Sequence, residues 1–218
     1  MNPRSISAAE IIKNFTFLGA VTAIEEALKG GLDPAADLQR SILPIEKGEL
    51  LVMPATSREG SGIKILTIAP NNPELNQPRI QGVYILFDKE NLSISSLLDG
   101  AALTTYRTPA ISFAAIRPAL ELGQEDLSVV VFGSGPQAIS HIQTLAAVLP
   151  AQLKVKNVAF VARDLEKAKQ RVPDLAGLGL NPECTVQILS ADSAEVNGHL
   201  QRALGRCRRN EYCHSWQL

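Results

Sequence analysis

Several common signals are missing from this chain of 218 residues. Charge of one sign is not in excess: Lys plus Arg number 21 and Asp plus Glu 22, so neither nucleic acid nor an acidic membrane surface is expected as a partner. No apolar run approaches membrane-spanning length. The opening MNPRSISAAEII lacks the basic start and apolar core of a secretory signal, and a cytoplasmic protein is expected. Cysteine is scarce, with only Cys184, Cys207 and Cys213. An odd number without zinc-type spacing argues against a disulfide framework and against a metal centre, and it suits a reducing cytosol. No internal repeat or low-complexity tract is visible. What remains is an ordinary globular composition, 45% hydrophobic and 20% charged, long enough for one large domain or two small ones.

The N-terminal third opens with helical patterning. Ser7 followed by Glu10 has the spacing of a capping box, and Phe17 to Lys29 repeats apolar residues at Leu18, Val21, Ile24 and Leu28 before Gly30-Gly31 stops it. Short strand-like runs follow at 49–55, 62–69, 80–88 and 92–99, separated by Gly, Pro and Asn clusters. No helix-length segment lies between them, so antiparallel or mixed pairing is expected. A long helix is expected from Ala101 to about Glu121, broken or kinked by Pro109 and Pro118. From Leu127 the rhythm changes to strand (127–132), helix (136–148), strand (157–163), helix (164–172) and strand (185–191), which predicts a parallel sheet. The polar stretch ELGQED (121–126) is the expected hinge.

The stretch VVVFGSGPQAISHI (129–142) holds a G-x-G-x-x-A pattern, Gly133, Ser134, Gly135, Pro136, Gln137 and Ala138. Such a turn, straight after an apolar strand and opening a helix, lets backbone approach a pyrophosphate at a helix N-terminus. Glycines at a strand–helix turn are often only structural; the flanking elements favour the dinucleotide reading. The end of the next strand chooses the dinucleotide. An acid there would read a ribose 2′-OH, but the chain has Ala162 and Arg163, and an arginine suits a 2′-phosphate. NADP(H) is therefore favoured over NAD. Asp164 competes for the ribose role, though it also suits a helix N-cap.

Two cations sit in apolar company. Lys64 in GIKILTI alternates onto the face of Leu66 and Ile68, and Arg107, if helical, shares a face with Leu103, Ala110 and Ile111. A buried charge needs a partner. An acid from elsewhere or snorkelling would satisfy either one alone. Together, beside a dinucleotide fold, they suggest a pocket for a substrate carboxylate, which arginine can grip bidentately. His141, on the helix after the glycine turn, reads as a packing residue.

The combination LLVMPA (50–55), IKILT (63–67), LLDGAALTTYRTPAIS (97–112) and GSGPQAISH (133–141) resembles the ornithine cyclodeaminase/μ-crystallin family over most of residues 1–200. The resemblance implies a homodimeric α/β oxidoreductase with a mixed-sheet substrate and dimerisation domain, here 1–122. An incomplete Rossmann domain follows, here 123–203, and the active site lies between the two. It implies that Arg40, Lys64 and Arg107 grip the carboxylate of a small amino or imino acid, with Lys64 and Arg107 at the catalytic centre. It also implies that Gln137 and Ala138 touch the cofactor phosphates, beside Gly133, Ser134 and Gly135 of the glycine turn, with Thr108 assisting. Arg40 reads equally well as a solvated arginine ahead of a strand. Two departures matter. Cyclodeaminases carry a glutamate two residues before the Met-Pro pair, where this chain has Leu51, and an acid near the NAD ribose, where it has Ala162-Arg163. Both lead away from ornithine cyclisation and toward NADPH-dependent reduction of cyclic ketimines such as Δ1-pyrroline-2-carboxylate. Ornithine cyclodeaminase itself, a non-catalytic NADPH or small-ligand binder, and an inactive fragment that still dimerises remain the alternatives.

The tail LGRCRRNEYCHSWQL (204–218) does not resemble a fourth Rossmann strand. It reads either as an unusual charged extension or as a shifted reading frame. Suitable codons for Arg206 to Cys213 read one base later would give Asp-Val-Val-Val-Thr-Asn-Thr-Ala. The resemblance places a catalytic aspartate after that strand, so the chain as written is expected to lack it and to be inactive.

Overall fold

A computed structural model describes residues 3–193, 195–198 and 200. The tail at 204–218, its two cysteines and the frame-shift reading lie outside the described residues. The chain divides into two compact units, one up to Thr108 and one from Pro109 onward. This division marks where packing changes partners, whereas the expected hinge at 121–126 marks where sequence character changes.

The first unit contains β1 (Arg4–Ile6), α1 (Ala8–Asn14), α2 (Phe17–Lys29), β2 (Ser41–Ile45), β3 (Gly48–Ser57), β4 (Gly60–Ile68), β5 (Ile80–Phe87), β6 (Ile94–Asp99) and the start of α3 (Gly100–Glu121). Its six strands form one sheet in the order β1-β6-β5-β4-β3-β2. Only β1 and β6 run parallel; the other neighbours are antiparallel, as short connections require. The expected capping box is present: Glu10 N donates to Ser7 Oγ at 3.3 Å and Ser7 N to Glu10 Oε2 at 2.9 Å. Thr16 caps α2 and Gly30 ends it.

Two strands lie outside the runs read as strands. β1 is three residues long, too short to show a pattern. β2 is an edge strand, exposed throughout, so it lacks the alternation that marks a half-buried strand. Its Pro44 is tolerated because an edge has a free side. Pro54 is tolerated in β3 because β2 pairing ends at Ser41–Val52, leaving β3 with one partner there.

Of the expected break or kink in the long helix, the break does not occur. Pro109 and Pro118 both lie inside a single assigned helix, α3. A proline forfeits one ladder bond, but those on either side persist, and Pro109 is fully buried, so packing offsets the loss.

The second unit holds β7 (Leu127–Phe132), α4 (Pro136–Val148), β8 (Val155–Ala162), α5 (Leu165–Arg171) and β9 (Thr185–Ser190). The three strands are parallel in the order β7-β8-β9. A mixed sheet followed by a parallel β-α-β-α-β arrangement matches the expected fold class. β8 is central and reads as a near-continuous apolar run, as a strand covered on both faces should. Ala159 and Phe160 are both 0% exposed.

Phe160 should therefore dominate the stability of this unit. Phe160→Ala is expected to lower unfolding free energy by about 3–5 kcal/mol. Phe132→Ala, which removes a ring 67% exposed, should change it by less than about 0.5 kcal/mol. Urea denaturation followed by circular dichroism checks both, and a parental midpoint for Phe160→Ala would contradict the assignment.

Candidate functional site

The face of the first sheet is set by register. Met53 pairs with Lys64, Lys64 with Tyr84, and Tyr84 with Leu98, so these four side chains lie on one side. Arg40 immediately precedes β2, in line with Met53. Leu51 pairs with Leu66, two residues along from Lys64, and so shares that face. The beginning of α3 packs here. Asp99 Oδ1 accepts from Ala102 N at 2.7 Å, a cap that fixes where the helix starts. Gly100, Thr104 and Arg107 then fall on one stripe at i, i+4 and i+7. Gly100 lies against the Gly82 backbone, and Thr104 Oγ1 accepts a long hydrogen bond from Lys64 Nζ at 3.5 Å.

Lys64 is 6% exposed. Burial, and then the charges of Arg107 and Arg40, lower its ammonium to about 8. Arg107 is likewise lowered by burial and then by Arg40. Among the described residues no acid lies within ion-pair distance of Lys64, Arg107 or Arg40. The structure thus brings three expected cations together in one unit, and they repel one another. Of the apolar company expected for Arg107 from spacing, Ala110 is fully buried and Ile111 is 52% exposed, and the neighbouring stripe carries Gly100 and Thr104. Thr104 was missed, although the 100/104/107 spacing would have shown it. Thr108 Oγ1 is buried and has no hydrogen-bond partner among the described residues.

The glycine turn lies at the C-terminal edge of the second sheet. Gly133 has φ +101°, a conformation that requires glycine, and its N–H donates to Val161 O at 2.7 Å, tying the turn to the end of β8. Gly135 is the N-cap of α4 and offers no side-chain cap. A Cβ at Gly135 would meet nothing within 4 Å among the described residues, so packing does not require glycine there. The residues present fit a dinucleotide phosphate: a glycine turn leading to a helix N-terminus without a side-chain cap. Arg163 follows the last residue of β8 and is exposed. Asp164 is committed elsewhere, capping α5 through a 3.0 Å bond from Lys167 N and pairing with Lys167 Nζ at 3.3 Å. His141 is a packing residue, bonded through Nδ1 to Gln137 O at 2.7 Å and tilted against Phe113. Among the described residues no cluster could hold a metal ion, and no helix is long and apolar enough to cross a membrane.

The model of the ornithine cyclodeaminase/mu-crystallin family matches residues 5–195. The chain belongs to this family. Δ1-Pyrroline-2-carboxylate reductase 2 of Burkholderia ambifaria is 30% identical over 143 residues, covering 62% of this chain and 45% of the relative. Ketimine reductase mu-crystallin of Mus musculus is 30% identical over 142 residues, covering 63% and 44%. The chain thus spans about half the length of the curated relatives it matches. Among solved structures, Thermococcus litoralis Δ1-pyrroline-2-carboxylate reductase in complex with NADH and L-proline superposes with a TM-score of 0.71 at 19% identity, covering 88% of this chain and 58% of that one. That likeness establishes the fold.

In this family member the buried lysine makes pH a direct probe. Lys64 titrates at about 8 when folded against an ordinary 10.5. Between those values the unfolded chain binds the extra proton, so stability should rise with pH across that window. Affinity for a carboxylate should run the other way and fall as pH passes about 8, because the ammonium is lost. Lys64→Met should remove both trends in melting and ligand titrations. A flat profile across the same range in the parent would contradict a buried charge.

Proposed function

We propose that the chain carries the carboxylate-binding and dinucleotide-binding parts of an NADP-dependent reductase of cyclic imino acids, with Δ1-pyrroline-2-carboxylate as the type substrate. The observation that carries this reading is Lys64, buried beside Arg107 and Arg40 with no acid among the described residues to neutralise it. A cation cluster of this kind is stabilised by an anion, and a small carboxylate is an anion that an arginine fork and a lysine can share. Leu51 faces the same side and supplies no carboxylate for a substrate amine. That disfavours a diamino acid and favours a ring with no charged side chain.

Gly133, Ser134, Gly135, Gln137 and Ala138 are the residues that would hold the cofactor phosphates, with Arg163 at the 2′-phosphate. Thr108, with its unsatisfied buried hydroxyl, is available to assist. NADP(H), when bound, supplies the hydride for a C=N carbon. Lys64 and Arg107 orient the carboxylate adjacent to that carbon, and fixed orientation is their contribution to rate. Turnover is proposed for the protein at the length of its relatives. The first unit is also the proposed dimerisation unit, because edge strand β2 exposes Ile42, Leu43 and Ile45 at 55%, 47% and 47%.

In a version extended to family length, Arg107→Ala should abolish reduction of Δ1-pyrroline-2-carboxylate, a loss of about 2–5 kcal/mol in kcat/KM, while sedimenting as the parent dimer does. Near-parental kcat/KM would move the pocket elsewhere, and a monomeric parent would overturn the dimer. Arg163→Asp should reverse or erase a preference for NADPH over NADH. Equal affinity of the parent for both would overturn the choice of NADP.

A further inference from the structure

The polar groups of the cation face include one that spacing alone did not single out. Tyr84 stands directly opposite Lys64 across the β4–β5 ladder. Its ring leans along β4 onto Gly62. A Cβ built at Gly62 would fall within 2.7 Å of ring carbon Cε1 and closer still to Cζ and Oη. Gly62 lies two residues before Lys64 on the same face, about 6.6 Å along the strand. The absence of a side chain at Gly62 thus leaves room for the phenol ring on the face that Lys64 shares. Among the described residues Tyr84 Oη makes no hydrogen bond, and the ring is half-buried. Burial raises the phenol above its ordinary range, so it keeps its proton and has it to donate wherever Lys64 is charged. Leu51 and Leu66 on the same face offer nothing polar, and Thr104 already donates its hydroxyl proton to Gly100 O at 2.7 Å.

We propose that Tyr84 is a ligand-binding residue of the cation site, its hydroxyl donating a hydrogen bond to the carboxylate held by Lys64 and Arg107, and that Gly62 is glycine to seat its ring. This rests on the carboxylate-site reading above and adds a neutral donor to the three cations. A carboxylate has about four acceptor positions, so a phenol can bind it alongside the charged donors.

The test is calorimetric titration of the 218-residue chain with pyrrole-2-carboxylate, a planar ring carboxylate that offers no imine to reduce. The parent is compared with Tyr84→Phe, Gly62→Ala and Lys64→Met, and each melting temperature is recorded. Tyr84→Phe keeps the ring and should melt as the parent does, yet bind about 10-fold more weakly. Gly62→Ala should weaken binding to a similar degree by displacing the ring. If it fails to fold, Tyr84→Phe alone decides. Binding by Tyr84→Phe within about twofold of the parent, with Lys64→Met unable to bind, overturns the role of Tyr84 and leaves the carboxylate site standing. A parent that does not bind, or a Lys64→Met variant that binds equally well, overturns the carboxylate site and Tyr84 with it.

Discussion

Burying an ammonium costs several kcal/mol even after the protein relaxes, and Lys64 bears that cost beside two arginines with no carboxylate among the described residues to offset it. A fold does not retain such a charge for its own stability, since a methionine at position 64 would pack a sheet face without penalty. The unneutralised charge is thus the constraint around which the rest of the first unit makes sense. It explains why the stripe of α3 facing the sheet reads Gly100, Thr104, Arg107 and not a row of leucines. It also explains why Thr104 presents a hydroxyl oxygen to the lysine while sending its own proton to Gly100 O.

Holding like charges close requires rigid supports, and these are local and mutually consistent. Asp99 ends β6 and caps α3 within a single residue, so the helix register follows from the sheet register. Gly100 then allows the helix backbone down onto Gly82, and Gly62 opens room for Tyr84. Each glycine removes a side chain where two backbones, or a backbone and a ring, approach. On the far side of the helix Tyr106 stacks on Phe17, with centroids 4.8 Å apart, which anchors α3 to α2 and keeps the polar stripe toward the sheet.

The second unit works by a different economy. Its parallel sheet is ordinary apolar packing, and what sets it apart is an absence: no side chain at Gly135 and no side-chain cap on α4. Backbone N–H groups and a helix dipole recognise phosphate without a dedicated charge. Arg163 is a cation placed at the neighbouring strand end, and Asp164 is engaged by Lys167. The fit is thus made from backbone geometry in this unit and from side-chain charge in the first.

Local chemistry is what the sequence determined by itself. The capping box at Ser7, the stop at Gly30, the turn at Gly133 and the cap at Asp164 each depend on residues within a few positions of one another, and all were legible. The alternation placing Lys64 on the face of Leu66 was legible for the same reason. The short β1 and the exposed edge strand β2 were not, because neither bears the burial pattern by which strands are recognised. The helix α3 runs unbroken through its prolines: their local cost is real, while the burial that offsets it at Pro109 is tertiary. Spacing gave Arg107 as a cation on a helix, but only the packing of α3 on the sheet decided that it faces Lys64 and Arg40. Those residues lie far apart in the chain, and no local preference encodes a distance between strands. The same holds for Tyr84: a tyrosine in a strand is unremarkable until the β4–β5 register sets it opposite a buried lysine and beside a glycine that makes room for its ring.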